Sequence, residues 1–160
     1  YPEGDRDLYS SIVYLEPFSD RNLRAFGYDM YSDPVRQDAM RKAAENNNLA
    51  ISGAVRLVQE SDVDEQAGFL MYAPIYAREK PHSTIRQRQE NIVGWAYSVF
   101  RMNDFMNGVQ GGPFDDLDIE IYDGDLDSPQ NLMYDSYTLE IQGQSNFYST
   151  LQQKIPNCRP

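Results

Sequence analysis

The stretch AGFLMYAPIY, Ala67 to Tyr76, is apolar almost throughout, yet it is far shorter than the roughly 18 residues a membrane span needs. A run of this length and kind reads as a central β-strand. Pro74 within it lacks an amide donor and should mark a bulge or an exit from the ladder. Other strand-like runs surround it. SSIVYLE (Ser10 to Glu16) is β-branched and aromatic and is ended by Pro17. Ile51 to Gln59 precedes the central run across the acidic loop ESDVDEQ, as in an antiparallel pair with a long connection, and NIVGWAYSVF follows it. Leu117, Ile119 and Ile121 alternate with Asp116, Asp118 and Glu120, the period of a strand with one wet face. Asn131 to Tyr134 and Tyr137 to Gln142 are two further strand-like pieces.

Helix signals fall between these runs. Ser19 is placed to cap a short helix through DRNLRAF, in which Leu23 and Phe26 share a face and Gly27 suits the C-terminal end. The longest predicted helix is Pro34 to Asn47, with Ser32 or Asp33 as its cap and Pro34 in its first turn. Val35, Ala39, Met40 and Ala43 form its apolar stripe, Arg36, Lys42 and Glu45 are expected to face water, and the asparagines 46–48 end it. Asn103 should cap another short helix through Phe105, Met106 and Val109. The polar segment Arg78 to Glu90 reads as an exposed excursion dividing the chain into two lobes, residues 1–80 and 81–160. Helix followed by antiparallel strands in each half implies an α+β fold with helices flanking the sheets.

Composition narrows the function. The 160 residues include one histidine, His82, and one cysteine, Cys158, so neither a metal site nor a nucleophile with its base can be assembled convincingly. There is no GxxxxGK[ST], GxSxG or HExxH motif, and Gly108, Gly111 and Gly112 do not match a dinucleotide fingerprint. A net charge of −11 argues against a nucleic-acid partner, which needs concentrated lysine and arginine. Paired carboxylates could serve a glycan-active enzyme, but no pair sits in an apolar setting that would raise one pKa. No catalytic residue, metal or cofactor is therefore expected. What remains is a binding domain, either a sensor or a non-signalling adhesion or carbohydrate-binding module.

Several side chains are candidates for recognition. Asp29 interrupts the aromatic and apolar stretch AFGYDMY between two helices; its carboxylate could accept a ligand's N–H groups or cap the following turn. Tyr72 and Tyr76 could offer hydroxyls to a ligand or to backbone. Arg56 could hold a carboxylate ligand or pair with a surface acid. Asp123, Asp125 and Asp127 follow the first positions of a calcium loop, but Ser128 and Tyr134 replace its glycine and closing glutamate, so an ordinary acidic turn is favoured. His82 in KPHST reads as a solvated loop residue, and Trp95 as packing.

Taken in order, YLEPFSDRNLRAFGYDMYSDPVRQDAM, AISGAVRLVQE, AGFLMYAPIY and GWAYSVFRMNDFM resemble a CHASE domain, over about Tyr9 to Tyr137. The resemblance implies an extracellular or periplasmic sensor, flanked by transmembrane helices, feeding a cytoplasmic histidine kinase or diguanylate cyclase. It also implies a helical stalk carrying membrane-distal and membrane-proximal PAS-like lobes. Most of that stalk, with its usual homodimer contact, is expected to be missing here. In the plant members an aspartate before the main helix contacts the nitrogen-bearing ring of a cytokinin, and the matching position is Asp29, beside Tyr28. The resemblance puts Tyr72 at a hydroxyl position next to Leu70 and Pro74, and Ile51 at an aliphatic wall. A tyrosine there fills volume that a planar bicyclic ligand would need.

Overall fold

A computed structural model of the protein describes residues 5–58, 65–110, 119–125 and 128–136. Its longest helix, α1 (Pro34–Asn46), forms where Asp33 supplies a cap: its carboxylate accepts the N–H groups of Val35 at 2.9 Å and Arg36 at 3.0 Å. Ser32, the other candidate, instead donates its hydroxyl to the Asp29 carbonyl. The helix ends at Asn47, whose φ of 49° is the left-handed conformation asparagine tolerates and whose N–H bonds the Ala43 and Ala44 carbonyls. The buried stripe is Arg36, Ala39, Met40 and Ala43, spaced i, i+3, i+4, i+7. Arg36 therefore does not face water as its charge suggested, and Val35 is only partly covered.

Helix α1 lies on a three-stranded antiparallel sheet ordered β1 (Ala50–Ile51), β2 (Gly68–Tyr76) and β3 (Ile92–Arg101). β2 and β3 pair along their whole length, from Gly68 opposite Arg101 to Tyr76 opposite Ile92. Even-numbered residues of β2 turn their backbone N–H and C=O toward the β1 side, since Gly68 exchanges bonds with Val55 and the Leu70 carbonyl accepts from Ser52. β1 pairs no further along β2 than Tyr72, so the N–H that Pro74 lacks would have met no strand. Pro74 thus keeps register opposite Trp95, and the irregularity falls one step on, between Ile75 and Tyr76.

The strand expected over Ile51 to Gln59 is shorter because a side chain takes over the ladder. Ser52 accepts the Leu70 N–H on its hydroxyl at 3.0 Å, and the chain then bulges at Gly53 and Ala54 before Val55 bridges Gly68. The segment Arg78 to Glu90 does not divide one sheet from another. It joins β2 to β3 and carries α2 (Ile85–Asn91), which opens on a capping box between Thr84 and Gln87. Arg88 of α2 donates to the Glu45 carbonyl at the end of α1.

Ser10 to Glu16 is not a strand of either sheet; it pairs through a bridge from Ser11 to Asp29, in which Met30 N–H donates to the Ser10 carbonyl, and through bonds between Ile12 and the backbone of Gly27 and Tyr28. The next element is a 3₁₀ turn, Asp20–Ala25, without a side-chain cap from Ser19; Ala25 is buried while Leu23 and Phe26 are exposed. On the far side, α3 (Met102–Gln110) and a two-stranded sheet of β4 (Glu120–Tyr122) and β5 (Leu132–Asp135) enclose a second core of Met102, Met106 and Tyr134, packed against Phe69. The fold is α+β with antiparallel sheets and flanking helices, compatible with a PAS-like architecture. Leu117 and the strand expected over 137–142 lie outside the described residues, as does Cys158.

The Asp33 cap has a measurable consequence. Asp33→Ala should lower stability in urea by about 1 to 2 kcal/mol, whereas Ser32→Ala, which removes no helix cap, should cost less.

Candidate functional site

One face of the main sheet presents Leu70, Tyr72 and Pro74 from β2 with their cross-strand partners Val99, Tyr97 and Trp95 from β3, and α1 covers this face. Near the C-terminal half of α1 the polar tips of Trp95 and Tyr76 are satisfied. Trp95 Nε1 donates to the Met40 carbonyl at 2.9 Å, its ring stacks on Tyr31, and the Tyr76 hydroxyl donates to the Ala44 carbonyl at 2.6 Å. Trp95 is thus packing, as expected, and Tyr76 is bonded to backbone.

Near the N-terminal half the pattern reverses. Arg36 is 2% exposed; its Nη2 donates to the Arg56 carbonyl at 2.9 Å and its guanidinium lies 5.0 Å from the centre of the Tyr28 ring, but Nε and Nη1 have no hydrogen-bond partner. The hydroxyls of Tyr72, which is wholly buried, and Tyr97 are also unpartnered, and the two rings lie 6.1 Å apart. Burial raises the pKa of both phenols, against a smaller lowering by the Arg36 charge, so both stay neutral donors at physiological pH. An unmade hydrogen bond of a buried neutral group costs about 1 to 3 kcal/mol, and an uncompensated buried charge costs more. Beside Arg36 and Tyr97 is a cavity of about 10 Å³, room for one water, walled by Ile12, Leu57, Leu70 and Val99.

Asp29 is 3% exposed and fully engaged within the chain. Arg6 donates to its Oδ2 from Nε at 3.1 Å and Nη2 at 2.9 Å, while the backbone N–H groups of Ser10 and Tyr31 donate to Oδ1 at 2.8 and 3.1 Å. It thereby caps the turn Met30–Ser32, the local role open to it in the sequence, and anchors the N-terminal segment that lays Ile12 over the cavity.

The other expected residues divide. Leu70 lines the cavity and Tyr72 lies behind it, with Tyr28 against Arg36. Pro74 shares their face but sits two residues further along, beside Trp95. Ile51 pairs with Met71, and so faces the opposite side of the sheet from Leu70 and Tyr72. The Arg56 side chain is 61% exposed and pairs with Glu65 at 3.1 Å, so only its carbonyl reaches the site. His82 is an exposed residue stacked on Tyr76. Asp123 accepts the Ala54 N–H at 2.8 Å, and Asp127 lies outside the described residues, among which no group of His, Cys, Asp and Glu could hold a metal. Arg36 and Tyr97 were missed. The signal for Arg36 was its spacing: it stands three and four residues before Ala39 and Met40, on the apolar stripe.

The CHASE domain family model matches residues 1–134, and the chain belongs to this family of sensory domains, the extracytoplasmic modules of membrane receptors. No curated protein matches it. Among the described residues no helix is long and apolar enough to cross a membrane.

Two substitutions separate the engaged from the unpartnered groups. Asp29→Ala should destabilise by about 2 to 4 kcal/mol, somewhat below a wholly buried ion pair because Arg6 keeps some contact with water. Tyr72→Phe should leave stability unchanged or raise it by up to about 1 kcal/mol, since it removes a hydroxyl without a partner. Urea unfolding checks both; a loss above about 1 kcal/mol for Tyr72→Phe would mean the hydroxyl is bonded.

Proposed function

We propose that this chain is the ligand-sensing domain of a membrane signalling receptor, and that it binds a small organic ligand on the α1 face of its main sheet. The receptor passes the signal to a cytoplasmic diguanylate cyclase or histidine kinase, through transmembrane helices that flank the domain, and works as a homodimer. The lobe built on β1 to β3 is the membrane-distal one, and that built on β4 and β5 the membrane-proximal one.

The observation that carries this reading is the unpartnered polar atoms of Arg36 and Tyr97, which line a cavity in a chain of a sensory family, with the unpartnered Tyr72 hydroxyl on the ring next to Tyr97. Protein interiors pair their polar groups, and a pocket that fixes a ligand's orientation does so with a few polar atoms in an apolar wall. The cavity holds about one water's volume, so a ligand enters by displacing some of its wall. Ile12 is the wall residue attached to the N-terminal segment, which Arg6 fastens to Asp29. A ligand that moves Ile12 acts on that fastening, and a ligand group that reached Asp29 itself would take the place of Arg6. Tyr28, Leu70 and Tyr72 surround the bound molecule. Signalling follows if the ligand binds one position of this segment more tightly than another, because equal binding shifts no equilibrium.

Thermal unfolding of the chain against a panel of small organic acids, amines, amides and nucleobases tests the reading. At least one class should raise the melting temperature saturably, and Val99→Ile, which adds one carbon and so fills a space of one water's volume, should weaken the effect while the variant stays folded. No stabilising compound, or one indifferent to Val99→Ile, would contradict it.

A further inference from the structure

Arg36 brings a permanent positive charge into a space whose other wall residues, Tyr97 apart, are apolar, and it forms no ion pair with a carboxylate among the described residues. Its orientation is set before any ligand arrives. The Arg56 carbonyl holds Nη2, the Tyr28 ring lies against the guanidinium, and the Arg56 side chain is turned out to Glu65, where it does not compete. What stays open is a set of donors: Nε and Nη1 of Arg36, with the hydroxyls of Tyr97 and Tyr72 nearby.

We propose that the ligand is a short monocarboxylic acid, its carboxylate received by Arg36 and Tyr97 and its alkyl tail packed on Leu57, Leu70 and Val99. This rests on the ligand-sensing reading above and names the chemistry of that site. A carboxylate only accepts hydrogen bonds, which matches a set of donors, and its charge offsets the guanidinium. An amine would add a second positive charge. A neutral amide would leave the first one uncompensated. A dicarboxylate would bring a second negative charge into a wall whose other members, among them Ile12, Leu57, Leu70 and Val99, are apolar. The small volume, with the Tyr72 ring wholly buried beside it, favours a tail of a few carbons over a planar bicycle.

Calorimetry and thermal unfolding with acetate, propionate and butyrate, at fixed ionic strength, test this against propionamide, propylamine and chloride. One of the acids should bind saturably with 1:1 stoichiometry, and propionamide and propylamine should bind at least about tenfold more weakly, as expected when a charge-assisted hydrogen bond is lost. Arg36→Met should weaken the acid by at least about tenfold and Tyr97→Phe by about three- to tenfold. If Arg36→Met fails to fold, Tyr97→Phe and the propionamide comparison still decide. Equal binding of propionamide, saturation by chloride alone, or affinity unchanged in Tyr97→Phe and Arg36→Met would overturn the proposal. Binding of a neutral compound that Val99→Ile weakens, with no acid bound, would refute the carboxylate and leave the sensor reading standing. If no small molecule binds, both fail.

Discussion

A charged guanidinium carried under a helix is the constraint on which the packing of α1 against the main sheet turns. Helix α1 must lie on the sheet, because Ala39, Met40 and Ala43 have no other apolar surface to meet, and burying Met40 against Leu70 and Tyr72 is worth about 1.5 to 3 kcal/mol for each such large side chain. Arg36 stands on the same stripe, so packing takes it inside whatever its charge costs. The surroundings compensate incompletely. A single N–H group meets a carbonyl and one face of the guanidinium meets an aromatic ring, while the rest of its donors stay open. A core selected for stability alone would carry methionine or leucine there, since replacing a buried charge by an apolar side chain is often neutral or stabilising.

The N-terminal segment and the second core both reach this region, by different physical routes. Asp29 collects Arg6 and two backbone amides on one carboxylate, a charge-assisted cluster that sets where Ile12 rests. From the other side, Gly68 lets Leu57 approach so closely that an added Cβ would lie 2.6 Å from the Leu57 Cγ, and Leu57 belongs to the cavity wall. Gly53 likewise makes room for the Asp123 carboxylate, which bonds Ala54 and ties the turn after β4 to the chain beside β1. The cavity wall thus takes Ile12 from the N-terminal segment and Leu57 from the chain that follows β1.

Much of this fold was legible in local signals. Asp33 followed by Pro34 marked the start of α1, and the apolar run from Ala67 to Tyr76 marked the middle strand, because capping and continuous hydrophobicity act within a few residues. What stayed hidden depended on partners distant in sequence. Ser10 to Glu16 has strand composition but finds only the short stretch Gly27 to Met30 to pair with, and Ser52 ends the β1 ladder with a side-chain bond that no propensity encodes. Arg78 to Glu90 looked like a divider because it is polar, yet polarity also suits a capped helix docked on the end of α1. Asp29, Leu70 and Tyr72 stood out in the sequence as buried or interrupting residues, but the role of Asp29 as an anchor depended on Arg6. Arg36 was missed because charge was weighed above periodicity.

A crystal structure of the chain grown with propionate, refined beside one grown without it, tests the central claim most directly. The expected result is density for a carboxylate within hydrogen-bond distance of the Arg36 guanidinium and the Tyr97 hydroxyl, with Ile12 displaced from its place over the cavity. A single water bonded to Arg36 in both crystals, with Ile12 unmoved and no ligand beside α1, would contradict it.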